Sequence, residues 1–208
     1  MNYVQSSLEE IADALAEQEL VILDQFLSQQ EVDALLRAFD YHAQEEDFKA
    51  AGIGNTYLYT QDKSIRSDRI MWLSDNPDKD ALSDFKKRIE ALMADLNPLL
   101  FLSLRDVEMH LAEYTPGAFY EKHVDQFKKN GHRILSFACY LNRGWQDGDG
   151  GELRIFKEGG HFDVEPLAGR LALFRSDTVE HAVRPAKVLR RSITGWMLDR
   201  PIDFPIQD

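Results

Sequence analysis

His123 and Asp125 stand two residues apart, and on an extended strand that spacing turns both side chains to one face and Val124 to the other. A second histidine, His181, follows several strand-like runs later, where a folded-back sheet can return it to the first pair. Two histidines and one carboxylate on one side of a metal leave open positions, the arrangement in which non-haem Fe(II) takes an oxoacid and dioxygen. An oxoacid chelated through its carboxylate and keto oxygen carries its second carboxylate deeper, where a guanidinium fork is the suitable permanent partner. Arg190 begins a run in which Ser192, Thr194 and Trp196 share its face, and Tyr140 ends a mostly small face with Ser136 and Ala138. The alternative for Arg190 and Arg191 is an exposed basic pair.

The same pattern occurs once more. His161 and Asp163 have identical spacing but follow Gly159 and Gly160 in an apparent turn, too near His181 for more than one hairpin, so they read as surface-loop residues. His42 and His132 lie in polar surroundings and read as exposed. His110 alternates with Ala112 and Tyr114 and reads as a satisfied core histidine.

Three amphipathic helices precede this chemistry. Ser7 and Glu10 form a capping box before Ile11 and Leu15, and the run Leu20 to Leu23 reads as a short strand. Val32, Leu35, Leu36 and Phe39 make one stripe; Leu82, Phe85, Ile89, Leu92 and Leu96 make another, closed by Asn97 and Pro98. Between them, Gly52 to Ser74 is polar and ends in Ile70, Met71, Trp72 and Leu73, a loop flanked by strands. From about residue 100 the chain turns to short β-rich runs: Val107 to Tyr114, Phe119 to Val124, Ile134 to Leu141, Leu153 to Phe156, Arg170 to Phe174 and Ile193 to Leu198. The expected fold is α+β, mainly β, a double-stranded β-helix or jelly roll with supporting N-terminal helices.

With 208 residues and no low-complexity stretch, a single domain is expected. The net charge of -12 repels phosphate backbones and anionic headgroups, which disfavours nucleic acid and membrane as partners. The lone Cys139 sits in an apolar run and reads as a buried inert thiol. With no leader-like N-terminus and no bilayer-length apolar run, a cytoplasmic location is expected.

The stretch Tyr114 to Trp196 resembles the catalytic domain of the protein prolyl hydroxylases, the group that includes the hypoxia-inducible-factor hydroxylases and related bacterial enzymes. The likeness rests on His123-Val124-Asp125, Tyr140-Leu141-Asn142, Gly150-Gly151-Glu152-Leu153-Arg154-Ile155-Phe156, His181-Ala182-Val183 with Pro185, and Arg190 through Ile193, Thr194 and Trp196. Upstream, Ile65-Arg66-Ser67-Asp68-Arg69-Ile70-Met71-Trp72 resembles the substrate-covering loop and its following strand. It departs in a short Pro-containing tail to Asp208 and a shorter turn before His181.

The resemblance implies one oxygenase domain over 1–208, with 1–100 as helical support and covering loop and 101–200 as the jelly-roll core. It implies Fe(II) on His123, Asp125 and His181, with 2-oxoglutarate as cosubstrate and ascorbate as an accessory reductant. Arg190 and Tyr140 would take the distal carboxylate of 2-oxoglutarate, and Tyr114, Leu153, Thr194 and Trp196 would line its pocket. Arg66, Asp68 and Arg133 would serve the substrate, with Asp68 and Arg133 pairing once it binds. The implied reaction hydroxylates a prolyl residue in a protein, translation machinery being the first candidate, and releases succinate and carbon dioxide. The long polar lid from Thr60 to Ile70 favours a polypeptide over the alternative, free proline or another small amino acid. A demethylase of alkylated nucleic acid and a non-catalytic metal-binding jelly roll are further alternatives, disfavoured by the acidic surface and by Arg190 respectively.

Overall fold

Reciprocal bonds between Ser7 and Glu10, and between Ser28 and Glu31, start the first two helices, α1 (Leu8–Gln18) and α2 (Gln29–Gln44). The computed structural model describes residues 6–52, 62, 64–73, 81–126 and 131–200. Thr60, Gln61 and Lys63 of the expected covering loop, and the tail from 201 to Asp208, lie outside them. Each helix buries its apolar stripe: Ile11 and Leu15 on α1, Val32, Leu35 and Phe39 on α2, and Leu82, Phe85, Ile89, Leu92 and Leu96 on α3 (Ala81–Leu100). No helix among the described residues is long and apolar enough to cross a membrane.

Pro98 does not close α3, contrary to expectation. In the last turn its missing N–H and its clash with one carbonyl perturb little of the hydrogen-bond ladder. The helix continues to Leu100 and stops where Phe101 turns left-handed at φ 53, while the Asn97 side chain binds both backbone groups of Leu104.

The strands are β1 (Leu20–Leu23), β2 (Lys49–Ala50), β3 (Arg69–Trp72), β4 (Asp106–Tyr114), β5 (Tyr120–His123), β6 (Arg133–Tyr140), β7 (Leu153–Lys157), β8 (Gly160–Val164), β9 (Leu171–Arg175), β10 (His181–Val183) and β11 (Arg190–Leu198). They form a seven-stranded sheet, β1-β9-β6-β11-β4-β3-β2, and a four-stranded sheet, β5-β10-β7-β8, with every named pairing antiparallel. This is the expected double-stranded β-helix.

Strand alternation divides the large sheet into two faces. Leu111, Leu135, Phe137, Cys139, Leu171, Leu173, Ile193 and Met197 meet the helices in one cluster. Burial pushes the Cys139 thiol pKa up and keeps it protonated. The opposite face, carrying Tyr114, Tyr140, Arg190 and Trp196, is the one that can hold a ligand.

His161 and Asp163 sit on β8, a strand rather than a loop. Gly159, at φ 84, turns the β7–β8 hairpin, and alternation is invisible in the sequence because four of the strand's five residues are exposed. Asp163 there accepts both ends of the Arg154 fork and a bond from Arg184.

Candidate metal and cosubstrate site

β5 and β10 pair so that His123 lies directly opposite His181. Asp125 follows just beyond the end of β5, where the Gln126 N–H donates to the Ser176 carbonyl and holds the turn. One ligand atom from each of His123, Asp125 and His181 can be chosen so that all lie within 4.8 Å of one another. Among the described residues no other group of histidine, cysteine and carboxylate side chains does this.

The hydrogen bonds also select the tautomers. His123 Nδ1 lies 2.7 Å from the Glu121 carbonyl and His181 Nδ1 lies 3.0 Å from the Val179 carbonyl, and a carbonyl can only accept. Both rings therefore donate from Nδ1 and turn Nε2 to the cluster, at 3.5 and 3.7 Å from the two Asp125 oxygens. Burial, reinforced by His123, holds the His181 pKa down at about 4, so its imidazole is neutral at neutral pH. Burial alone would raise the Asp125 carboxyl, but His181 and His123 beside it hold it far below the usual range. Two imidazole Nε2 atoms and an ionised carboxylate suit a divalent metal with open positions.

The inward face of β11 carries a cation. Arg190 is buried opposite Tyr114, and its guanidinium lies 4.6 Å from the Tyr114 ring and 5.1 Å from the Tyr140 ring. Its Nε donates to the Gly151 carbonyl at 2.9 Å and its Nη1 to Ser192 Oγ at 3.0 Å; no described carboxylate lies within ion-pair distance. Gly151 suits its φ of 76, which strains other residues, and a Cβ there would also stand 3.0 Å from Arg190 Cδ. A buried permanent cation without a counter-ion calls for an anionic ligand. Beside it the fully buried Tyr140 hydroxyl has no hydrogen-bond partner, and burial raises its pKa to about 12, so it stays a donor. Leu153 packs with Tyr140 in one apolar cluster, and Ser192 Oγ lies 3.3 Å from Thr194 Oγ1. The donor set thus fits a metal at one end and a carboxylate at the other.

Arg191 points the opposite way, as alternation requires, and bonds Glu113 at 3.1 Å and Asp40 at 2.6 Å. The pairing of Asp68 with Arg133 is expected once substrate binds, and without substrate each has another partner. Asp68 is buried and takes the Arg66 fork at 2.8 and 2.6 Å, whereas Arg133 bonds Glu108 at 3.0 Å and stacks 3.5 Å over Trp196. A buried carboxylate binds the nearest guanidinium, and Arg66 is two residues away. His42 and His132 are hydrogen-bonded to Asp47 and Asp199 rather than free in solvent.

His110 also departs from expectation. It is buried between Trp72 and Trp196, at ring distances of 4.9 and 5.4 Å, but its Nδ1 has no partner. Burial, then the charges of Arg66 and Arg133, lower its pKa from 6.5 to about 3, against an opposing pull from Asp125. The unfolded chain therefore takes up this proton first, and stability is lost as pH falls from 6.5 towards about 3. Denaturant titrations of the metal-free protein should show His110→Leu losing less stability than wild type over that fall, by about 3 kcal/mol near pH 4. Equal losses would show that His110 titrates normally.

Tyr120 was not foreseen. Its ring stacks on His123 at 3.6 Å and 17°, although the two are three residues apart and strict alternation would separate them. An irregularity supplies the reason: Val183 pairs with Tyr120 and His181 with His123, so three steps on β5 match two on β10.

The description 2OG-Fe(II) oxygenase superfamily matches residues 109–198, which contain all three clustered ligands and Arg190. A prolyl-4-hydroxylase of Pseudomonas putida, known from its crystal structure, is 36% identical with a TM-score of 0.83, over 93% of this chain and 99% of that one. A prolyl hydroxylase of Trichoplax adhaerens, in complex with a hypoxia inducible factor oxygen degradation domain peptide fragment, has the same TM-score at 22% identity, over 96% of each chain, and shows the likeness of fold. The hypoxia-inducible factor prolyl hydroxylase of Caenorhabditis elegans is 34% identical over 158 residues, 66% of this chain, which spans only 20% of that relative's length.

Proposed function

Because this chain belongs to the 2OG-Fe(II) oxygenase superfamily, we propose that it is an Fe(II)- and 2-oxoglutarate-dependent dioxygenase that hydroxylates a prolyl residue in a protein. The observation that carries the reading is the pairing of three convergent metal-ligand atoms with a buried arginine that has no described carboxylate at ion-pair distance. His123, Asp125 and His181 would hold Fe(II). Arg190, with the Tyr140 hydroxyl, would take the distal carboxylate of 2-oxoglutarate, flanked by Tyr114, Leu153 and Thr194. When bound, iron with 2-oxoglutarate and dioxygen supplies the oxidising power that converts C–H to C–OH as the oxoacid becomes succinate. The protein orients both partners and excludes water through the apolar walls around Tyr140 and Leu153.

Arg133 would border the substrate beside Trp72, which is 49% exposed, and the buried Trp196 beneath Arg133 would line the cosubstrate pocket. The prolyl-4-hydroxylase of Pseudomonas putida supports a prolyl target, and the peptide in the Trichoplax adhaerens complex supports a polypeptide. Cytoplasmic proteins of the translation machinery are the first candidates that the resemblance to the prolyl hydroxylases implies, and the net charge of -12 disfavours nucleic acid itself. Succinate release with Fe(II) should rise several-fold with prolyl peptides and little with free proline. The reverse order would leave the oxygenase standing and remove the protein substrate.

A further inference from the structure

The two histidines of the cluster are supported unequally. His181 is enclosed: its side chain is 6% exposed, the Phe174 ring meets it edge-on at 4.7 Å, and Nδ1 is tied to the Val179 carbonyl. His123 stands at a strand end with 17% of its side chain exposed. A metal ligand must hold its ring direction, and a hydrogen bond at Nδ1 still permits the ring to tilt about it. For His123 that freedom is removed by Tyr120, whose ring lies nearly parallel to it at 3.6 Å.

Tyr120 is itself covered. The Arg66 guanidinium lies 4.2 Å from its ring centroid on the covering-loop side. Arg66 is fixed by its fork on Asp68, whose side chain is fully buried, and by a bond to the Gly52 carbonyl at 3.3 Å. The backbone joins the same segments: Glu121 N–H donates to the Ile65 carbonyl, Ser67 N–H to the Phe119 carbonyl, and Arg66 bridges Tyr120. Residues 65–68 are thereby zipped along the strand that carries the exposed ligand.

We propose that Tyr120 and Arg66 are positioning residues for the metal, a stack through which residues 65–68 hold His123 in ligating orientation. The proposal rests on His123 being a metal ligand. It assigns Arg66 to the metal side of the site, where sequence resemblance alone had placed it with the substrate. It also makes the order of this segment and the affinity for metal reciprocal quantities, because binding that requires a fixed His123 favours the stacked arrangement.

The test is Co(II) binding to the full chain, followed by the visible absorption of the bound ion and by calorimetric titration, with no turnover required. Tyr120→Leu, which keeps apolar volume but removes the flat ring, and Arg66→Ala should each weaken Co(II) binding by about tenfold and alter the absorption envelope. Tyr120→Phe should restore both, since it retains the ring. Circular dichroism and thermal melting of each variant verify folding, and Tyr120→Phe keeps the comparison available should the leucine variant prove unstable. Wild-type affinity and spectrum in folded Arg66→Ala and Tyr120→Leu would overturn the proposal, as would Arg66→Ala raising only the KM for a prolyl peptide. His181→Ala separates the two levels: if it too binds Co(II) as wild type does, the metal assignment itself fails and the proposal with it.

Discussion

His181→Ala is expected to abolish Fe(II)-dependent succinate release, while His161→Ala retains most of it. A weakly bound divalent iron in a site with open positions depends on every protein ligand, and removing one of three leaves a pair at one strand end. His181 is buried, its Nε2 faces Asp125, and its Nδ1 is already committed, so no described side chain is poised to replace it. His161 shares the two-residue spacing with a carboxylate but points outward on β8, and its Asp163 is engaged by Arg154 and Arg184. Turnover measured at saturating Fe(II) and 2-oxoglutarate decides between them. An inactive His161 variant beside an active His181 variant would place the metal at the other pair.

Arg190→Ala is expected to raise the KM for 2-oxoglutarate by about a hundredfold or more, with a smaller effect on the rate at saturation. Truncating one member of a buried charge pair costs on the order of 2–5 kcal/mol, and each 1.4 kcal/mol is about tenfold in affinity. The strand supplies its own control. Arg191, one residue on, faces α2 and bonds Glu113 and Asp40, so Arg191→Ala should change thermal stability and leave the KM within about threefold. Equal rises at both positions would mean that the alternation of β11 does not set the pocket.

The elements that carry a strong period were legible in the sequence. The three helical stripes, the run Leu20 to Leu23 and the long strands β4, β6 and β11 all appear near their expected positions. Alternation then separates Arg190 from Arg191 and gathers Ser192 and Thr194 beside Arg190. What was illegible has particular physical causes. β8 exposes four of its five residues, and β10 has only three residues, too few to show a period. Tyr120 joins His123 through a strand irregularity, which breaks the two-residue rule that sequence reading relies on. Asp68 reads as a substrate-side acid on a polar loop, and only the fold reveals it as a buried partner of Arg66. His110 looks like a satisfied core residue because the sequence cannot show that nothing meets its Nδ1.

The most direct test of the central claim is the product itself. A prolyl peptide incubated with the protein, Fe(II), 2-oxoglutarate and air should gain the mass of one oxygen atom on its proline, in equal yield with succinate, and gain none when 2-oxoglutarate is omitted. Succinate formed without any peptide oxidation, across prolyl peptides from many cytoplasmic proteins, would contradict the prolyl substrate. No succinate under any condition, from a folded and Fe(II)-loaded protein, would contradict the oxygenase.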